Sequence, residues 1–596
     1  MVGGAEPTTV SVLTEVPAVT KAFDYAVPTR FEGPLGIGAR VRVPLHGRSV
    51  RGWIVDHPLK TEIGSLKELK ASLGFGPPSE VVDLARWAAW RWAGAPARLL
   101  SAASPDRIVR SLPRRPDARP IEVPSGELSE RGALLATRAE DLVLRVGATT
   151  DPFDLVLGFY SGLVADGALL DGSLVISVPG LDYASRLVSR LSRRGVPAID
   201  LAGGWDAARS GWPVVVGTRM AAFAPVPVLA GALVLDAEDE RLSSEASPTW
   251  RALDVLSRRA TQSRRPLASL SMCPPAWVSS GRTEEAIDPR HEAGDWPRVA
   301  VVDRRGADPR TGWLSSELVE AARKALAVQP DGVAVACIVN RTGRAKLLCC
   351  KRCDAIATCS TCDAACVLDE MLTCPRCGEQ RPVICTACGA TAMKLLRPGT
   401  AQLADELGAL LGVTTTEMTA STDPTPLATA RAVVGTEAIV HRIRRTTLVA
   451  FLDLDHHLLA PRVGVELSTL ALIGRAGRLV GPRRSVGGGT VLLQTRLGEH
   501  PVIDAARAGD PSVVLREDAT LRRDLALPPW RAAAVLKGVG ERELSRALVA
   551  AGLDVRRLEE HRSVVLAPDH QILGDALFEA PRPAGRVTIA VDGDSF

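Results

Sequence analysis

No lysine occurs between Lys70 and Lys324, and only nine of the 72 lysines and arginines in the 596-residue chain are lysine. No glycine is followed directly by a lysine. In a phosphate-cradling loop the lysine neutralises the β and γ phosphates, so the gap excludes such a loop from the whole stretch. Long apolar runs are missing too, since none approaches the roughly 18 residues of a membrane span. The opening MVGGAEPTTVSVLTEV has no basic stretch followed by an apolar one, and a cytoplasmic protein without a membrane partner is expected. Excess charge is small, a formal +4, and the first 110 residues carry as much, 14 Lys and Arg against 10 Asp and Glu. That segment suits a polyanion or an ordinary solvated surface equally well. With 46% hydrophobic and 23% charged residues the chain is neither disordered nor fibrous. Its length implies about three to five domains.

Short apolar runs separated by Gly and Pro turns (VSVLTEV, FDYAVP, ARVRVPL, RGWIVDH) predict a small β-rich domain, completed by a helix over VVDLARWAAWRWAG, within 1–110. The Pro- and Arg-rich SLPRRPDARPIEVPSG opens a linker over 111–145. Apolar strands then alternate with helical segments: FDLVLGFY, SLVISVP, PAIDLAG, PVVVGTR, GALVLDAE and PLASLSM predict a parallel sheet flanked by helices over 146–288. A second such set, VAVACIVN, ARAVVGTE, TTLVAFLDLD and GGTVLLQTR, occupies 289–348 and 390–508, interrupted by a cysteine block at 349–389. A small α+β unit is expected over 509–596, with a helix over REDATLRRDLA, the break LPPW, and strands VVLAP and RVTIAVD. The fold class is multidomain α/β.

Ten of the twelve cysteines fall in the block, and eight form the pairs Cys350/Cys353, Cys359/Cys362, Cys374/Cys377 and Cys385/Cys388. A Cys-x-x-Cys knuckle aims two thiolates at one cation, and two knuckles complete the tetrahedral sulfur shell that Zn²⁺ prefers. Four knuckles therefore make two closed, structural zinc sites. Disulfide frameworks belong to small secreted domains and a redox motif explains one pair, which leaves iron–sulfur ligation as the competitor. Spacing alone leaves open which knuckles share an ion and whether Cys349 replaces Cys350. Cys273 and Cys337 read as core thiols.

Two α/β units in tandem, the second containing Gly474-Arg475-Ala476-Gly477-Arg478, are similar to the paired lobes of nucleic-acid motors, where this motif faces nucleotide held by the first lobe. Alone it reads equally as a basic helix start. The expected loop position, after FDLVLGF, holds Tyr160-Ser161-Gly162-Leu163-Val164-Ala165-Asp166-Gly167, without lysine. Strand GALVL runs into Asp236-Ala237-Glu238-Asp239, whereas a motor needs Asp for magnesium followed directly by Glu to orient water. That Glu is Ala237. Asp236, Glu238, Arg475 and Arg478 thus form a vestigial nucleotide site, and ATP turnover is not expected.

Taken in order, Phe23-Asp24-Tyr25, Ala39-Arg40-Val41-Arg42-Val43-Pro44, Val215-Val216-Gly217-Thr218-Arg219, the four knuckles, Phe451-Leu452-Asp453-Leu454-Asp455, GRAGR at 474–478 and Leu527-Pro528-Pro529-Trp530 resemble the bacterial PriA family of replication restart proteins over most of the chain. The resemblance implies an N-terminal domain that binds DNA 3′ ends and two RecA-like lobes of a degenerate superfamily 2 helicase. It also implies a zinc-ribbon-like insert in the second lobe and a C-terminal α+β domain. It further implies that Asp24 and Lys70, with Gly47, line the pocket for the strand's 3′ terminus, whose hydroxyl a carboxylate accepts. The family pairs the outer knuckles at one zinc (Cys350, Cys353, Cys385, Cys388) and the inner ones at the other (Cys359, Cys362, Cys374, Cys377). Its winged-helix domain is reduced here to a linker or remnant at 111–145. The segment after Gly435-Thr436-Glu437 lacks the family's Lys-Gly-His, and Ala471 stands where Gln is expected. The implied function is a fork-recognition and primosome-assembly factor of helicase-deficient, actinobacterial type. It would be a nucleoid-associated monomer working with forked DNA, single-strand DNA-binding protein, primosome components and the replicative helicase. An ATP-driven 3′→5′ helicase with a divergent nucleotide site and a zinc-ribbon scaffold that binds only protein are the competing expectations.

Overall fold

The computed structural model describes residues 9–17, 19–58, 66–305, 312–339, 348–353, 355–368, 371–395, 400–419 and 425–593. The chain begins with a five-stranded antiparallel sheet, in spatial order Phe23–Ala26, Thr9–Thr14, Arg48–Asp56, Arg40–Leu45, Ala71–Ser72. Every second residue of the central strands, Val10, Val12, Val41, Val43 and Ile54 among them, points into one small core. The stretch 66–70 joins the two edges: the Ala26 amide donates to Lys67 O at 3.0 Å and the Lys70 amide to Arg42 O at 2.8 Å. The sheet therefore curls closed and leaves little exposed edge.

The first large unit is a seven-stranded parallel sheet, in order Thr283–Ala286, Asp141–Arg145, Leu267–Ser271, Leu229–Leu235, Ser173–Ser177, Val214–Gly217, Ala198–Asp200. The second is a six-stranded parallel sheet, Arg298–Asp303, Thr490–Thr495, Leu448–Phe451, Val335–Ile338, Ala432–Gly435, Thr415–Met418. Both read as near-continuous runs of Val, Leu and Ala because helices cover both faces.

One element differs from the sequence reading. FDLVLGFY is not a strand but the start of the helix Phe153–Ala165. A short run that is apolar on all sides fits a buried strand and a buried helix alike. The strand that precedes it is Asp141–Arg145, paired in register with Leu267–Ser271, within the stretch read as linker. The loop between this strand and its helix is thus Val146–Pro152, not the 160–167 segment. Likewise GRAGR does not start a helix; it lies in the last half of Val465–Val480.

No winged helix occupies 111–145. Residues 111–126 form an extended strap with no regular element, and the helix Glu127–Leu135 follows. Arg115 pins the strap by donating to the carbonyls of Leu169 (2.7 Å), Leu170 (2.8 Å), Gly172 (2.9 Å) and Gly211. Glycine lets the following helices touch: a Cβ at Gly158 would lie 2.0 Å from Ser129 O, and one at Gly132 2.2 Å from Leu155 O.

At the C-terminal end a four-stranded antiparallel sheet, Asp554–Glu559, Arg562–Ala567, Ala532–Lys537, Thr588–Val591, carries the helices Glu541–Ala550 and His570–Glu579. The helix Ser79–Arg91 sits between it, the first parallel unit and the barrel. Val81, Leu84, Ala85 and Ala88 of that helix share one buried cluster with Phe223, Leu253 and Leu256 of the first lobe and with Ala534, Leu548 and Leu573 of the C-terminal unit. At about 1.5–3 kcal/mol per large apolar side chain fully buried, this common core outweighs any one surface ion pair.

Candidate metal centres and the interlobe cleft

The cysteine insert hangs on a two-stranded stem, Leu348–Cys350 against Met393–Leu395, and contains a small three-stranded sheet. It brings Cys350, Cys353, Cys385 and Cys388 into one group and Cys359, Cys362, Cys374 and Cys377 into another, with ligand atoms in each within 4.8 Å of one another. The Sγ atoms of Cys350 and Cys388 are 3.5 Å apart, as are those of Cys353 and Cys385, Cys359 and Cys377, and Cys362 and Cys374. A tetrahedron with metal–sulfur bonds of about 2.3 Å has edges of about 3.8 Å, so the donors fit a four-thiolate ion. Knuckle amides turn toward the sulfurs: Arg352 N and Cys350 Sγ, Thr361 N and Cys359 Sγ, and Arg376 N and Cys374 Sγ are each 3.4 Å apart. Cys349 is buried and belongs to neither group, so it does not replace Cys350. Cys273 and Cys337 are buried core thiols.

Between the two lobes lies a cavity of about 710 Å³, lined among others by Thr149, Asp151, Asp236, Arg475 and Arg478. In a motor the loop at 146–152 would cradle phosphate with backbone amides at a helix N-terminus. Here three of those amides are engaged within the protein. Val146 N donates to Ser271 O at 3.0 Å, Thr149 N to Asp295 O at 2.9 Å, and Thr150 N to Gly147 O at 3.1 Å. Asp151 Oδ1 accepts the Phe153 amide at 3.1 Å, so a carboxylate already complements the positive end of the helix, and Arg190 pairs with it at 2.6 Å.

The magnesium position is spent as well. Arg478 grips Asp236 with two hydrogen bonds, 2.7 and 2.5 Å, and donates from Nε to Ala148 O at 2.8 Å. A bidentate, partly buried pair of this kind is about twice as strong as a neutral hydrogen bond. Asp236 itself has φ +59°, a left-handed conformation that a non-glycine residue adopts at some cost. Arg475 stands 3.4 Å from Asp239, which Arg241 also binds through two nitrogens, at 2.9 Å each. Burial raises the Asp239 carboxyl, but these two arginines win and hold it low. At Glu238 the neighbouring Ser271 and Arg475 pull the same way but are outweighed. Both its oxygens are buried without a hydrogen-bond partner among the described residues. Burial, and then the Asp236 charge, push it up to about 7. The four residues converge at the cleft, where Arg478 holds Asp236, Arg475 stands beside Asp239, and Glu238 is buried between them.

In the barrel, Asp24 lies on Phe23–Ala26 and accepts a hydrogen bond from Ser11 Oγ at 2.5 Å. Lys70 ends the closing stretch two residues after Glu68, whereas Asp24 lies two residues before Ala26, so the two stand at opposite ends of the parallel Ala26–Glu68 bridge. Gly47 forms the tip of the Arg40–Leu45/Arg48–Asp56 hairpin. With His46 at φ +45° and Gly47 at +77°, both central residues are left-handed, as a two-residue hairpin turn demands. Sequence reasoning missed Thr149, Asp151, Arg190 and Asp295, the groups that close the cleft. The signal was DLVLR, hidden at the end of the presumed linker and separated by Val146 from Gly-Ala-Thr-Thr-Asp-Pro.

The family model for the PriA 3′ DNA-binding domain matches residues 11–105. The probable replication restart protein PriA of Mycobacterium bovis is 28% identical over 593 residues, covering 88% of this chain and 86% of that protein. That of Mycobacterium leprae is 28% identical over 566 residues, covering 87% and 85%. Replication restart protein PriA of Haemophilus influenzae is 28% identical over 372 residues, 56% of this chain and 48% of its own. Among solved structures, S. cerevisiae Dbp5 bound to RNA and ADP BeF3 is a loose match, TM-score 0.37 at 10% identity, over 68% of this chain and 94% of that one. The closed barrel at the start, the parallel lobes and the paired cysteine groups between their strands thus accompany a likeness to replication restart protein PriA that runs over most of the chain, with the PriA 3′ DNA-binding domain matched at residues 11–105.

Proposed function

We propose that this chain is a replication restart factor that binds abandoned or stalled forks and promotes primosome assembly and loading of the replicative helicase, without unwinding DNA itself. The observation that carries the reading is the interlobe cleft: Arg478 is held on Asp236 and on Ala148 O, and three amides of the 146–152 loop already donate to protein carbonyls. Fork recognition falls to the barrel, with Asp24, Gly47 and Lys70 at the strand's 3′ end. The two cysteine groups hold Zn²⁺ and keep the insert rigid on the second lobe. Single-strand DNA-binding protein, primosome components and the helicase are its protein partners, and it acts as a monomer. The test compares zinc-loaded protein on forks that end in a 3′-hydroxyl or a 3′-phosphate at the branch, with Asp24→Ala alongside. A preference of at least fivefold for the hydroxyl, lost in the variant, is expected; equal binding to both ends refutes fork-end reading. Hydrolysis of ATP stimulated by forked DNA and abolished by Arg478→Ala would refute the inactive motor.

A further inference from the structure

Gly474 and Gly477 are the glycines of a motif that in a motor meets nucleotide, yet here they meet protein. A Cβ on Gly474 would lie 2.3 Å from Met272 Sδ and 3.1 Å from Ala148 Cβ, both in the first lobe, and one on Gly477 2.7 Å from Pro297 Cγ. Ala148, Met272 and Cys273 of the first lobe are fully buried and belong to the same apolar cluster as Leu470, Ile473 and Ala476 of the Val465–Val480 helix. The seam between the lobes at this point is thus continuous packed core. Around it stand ion pairs that cross from lobe to lobe: Arg478 with Asp236, Arg475 with Asp239, and Arg462 with Glu240 at 2.7 Å. Arg484 with Asp295, at 2.6 Å, ties the same Asp295 that holds the 146–152 loop.

We propose that these contacts form a permanent latch, so that the lobes stay closed without nucleotide and present one fixed surface. The inference rests on the reading of the cleft as inactive and goes beyond it, because a site without turnover could still open and shut on binding nucleotide. In a motor, nucleotide bridges two lobes that otherwise separate. Here an arginine takes the bridging role: Arg478 touches the loop through Ala148 O and the sheet through Asp236, the two places that nucleotide would join. Parting the lobes would expose the Met272 and Ile473 side chains and leave Asp236 without its cation. A ligand shifts such an equilibrium only by its differential affinity for the two states, and a nucleotide would first have to displace Arg478 from Asp236 and Ala148 O.

Hydrogen exchange of the full zinc-loaded chain tests this without labels on the cysteines. The segments 146–152 and 465–480 should exchange slowly, and ATPγS with Mg²⁺ should change neither. Arg478→Gln should speed exchange in both segments at least tenfold while the Asp141–Arg145 strand keeps its protection. Gly474→Leu should do the same; if that chain fails to fold, Arg478→Gln carries the test alone. Altered protection of the wild-type chain on adding ATPγS, or wild-type exchange in Arg478→Gln, overturns the latch. Neither result touches the fork reading, which fails on ATP turnover or on indifference to the 3′ end.

Discussion

Glu238 shows what a buried carboxylate without a hydrogen-bond partner costs. Its carboxyl is buried, lacks a hydrogen-bond partner among the described residues and is raised from about 4.5 toward about 7 by burial and by Asp236. A raised acid binds more protons folded than unfolded between those values, so its contribution to stability falls as pH rises through that window. Glu238→Gln removes the penalty and keeps the shape. At pH 8 it should raise stability on the order of 2 kcal/mol by denaturant melts, and at pH 4 the two chains should coincide. An unchanged melt at pH 8 would show that the carboxylate finds a partner in solution. In the sequence, Glu238 was legible as part of an altered acidic box, because its chemistry depends on neighbours two residues away. The partners Asp151, Arg190 and Asp295 were not, because they meet only through the fold.

Elements were legible where a period or a spacing was strong. The cysteine knuckles announce themselves through a two-residue gap, while the pairing of outer with outer and inner with inner is visible only once Leu348–Cys350 meets Met393–Leu395. Each group should take up one Zn²⁺. Cys353→Ser should lower zinc content from two to one per chain by atomic absorption, and Cys362→Ser likewise. Loss of both ions from either variant would mean that the centres fold as one unit. The helix Phe153–Ala165 was misread because nearly all of its side chains are buried, which erases the helical alternation of polar and apolar residues. That single misreading displaced the neighbouring strand and loop.

At the scale of the molecule, domains that the sequence separates by linkers share one interior. Arg259 is fully buried and donates to Glu80 at 2.9 Å, to Ala224 O at 2.9 Å and to Val226 O at 3.0 Å, stitching the N-terminal helix to the first lobe. Arg91 reaches Asp592 at 2.7 Å, and Trp90 Nε1 reaches Asp575 at 2.9 Å. Arg259→Ala would leave Glu80 and two carbonyls unpaired, and removing one partner of a buried pair costs about 3–5 kcal/mol. The barrel, first lobe and C-terminal unit should then melt at a lower temperature in a single transition. An early, separate melting of residues 1–110 would contradict a common core. Composition carries no trace of this arrangement, because long-range packing leaves no local period.

The pairing of Arg91 with Asp592 spans 501 positions of the chain. A ribosome adds about 5–20 residues per second, so the last partner of the Ser79–Arg91 helix emerges some 25–100 s after the helix itself, by the same estimate. During that interval the face that will meet the C-terminal sheet has only the first lobe for company. Synthesis of this protein therefore includes a waiting period, in which an apolar helix near the N-terminus stays partly uncovered until the far end arrives.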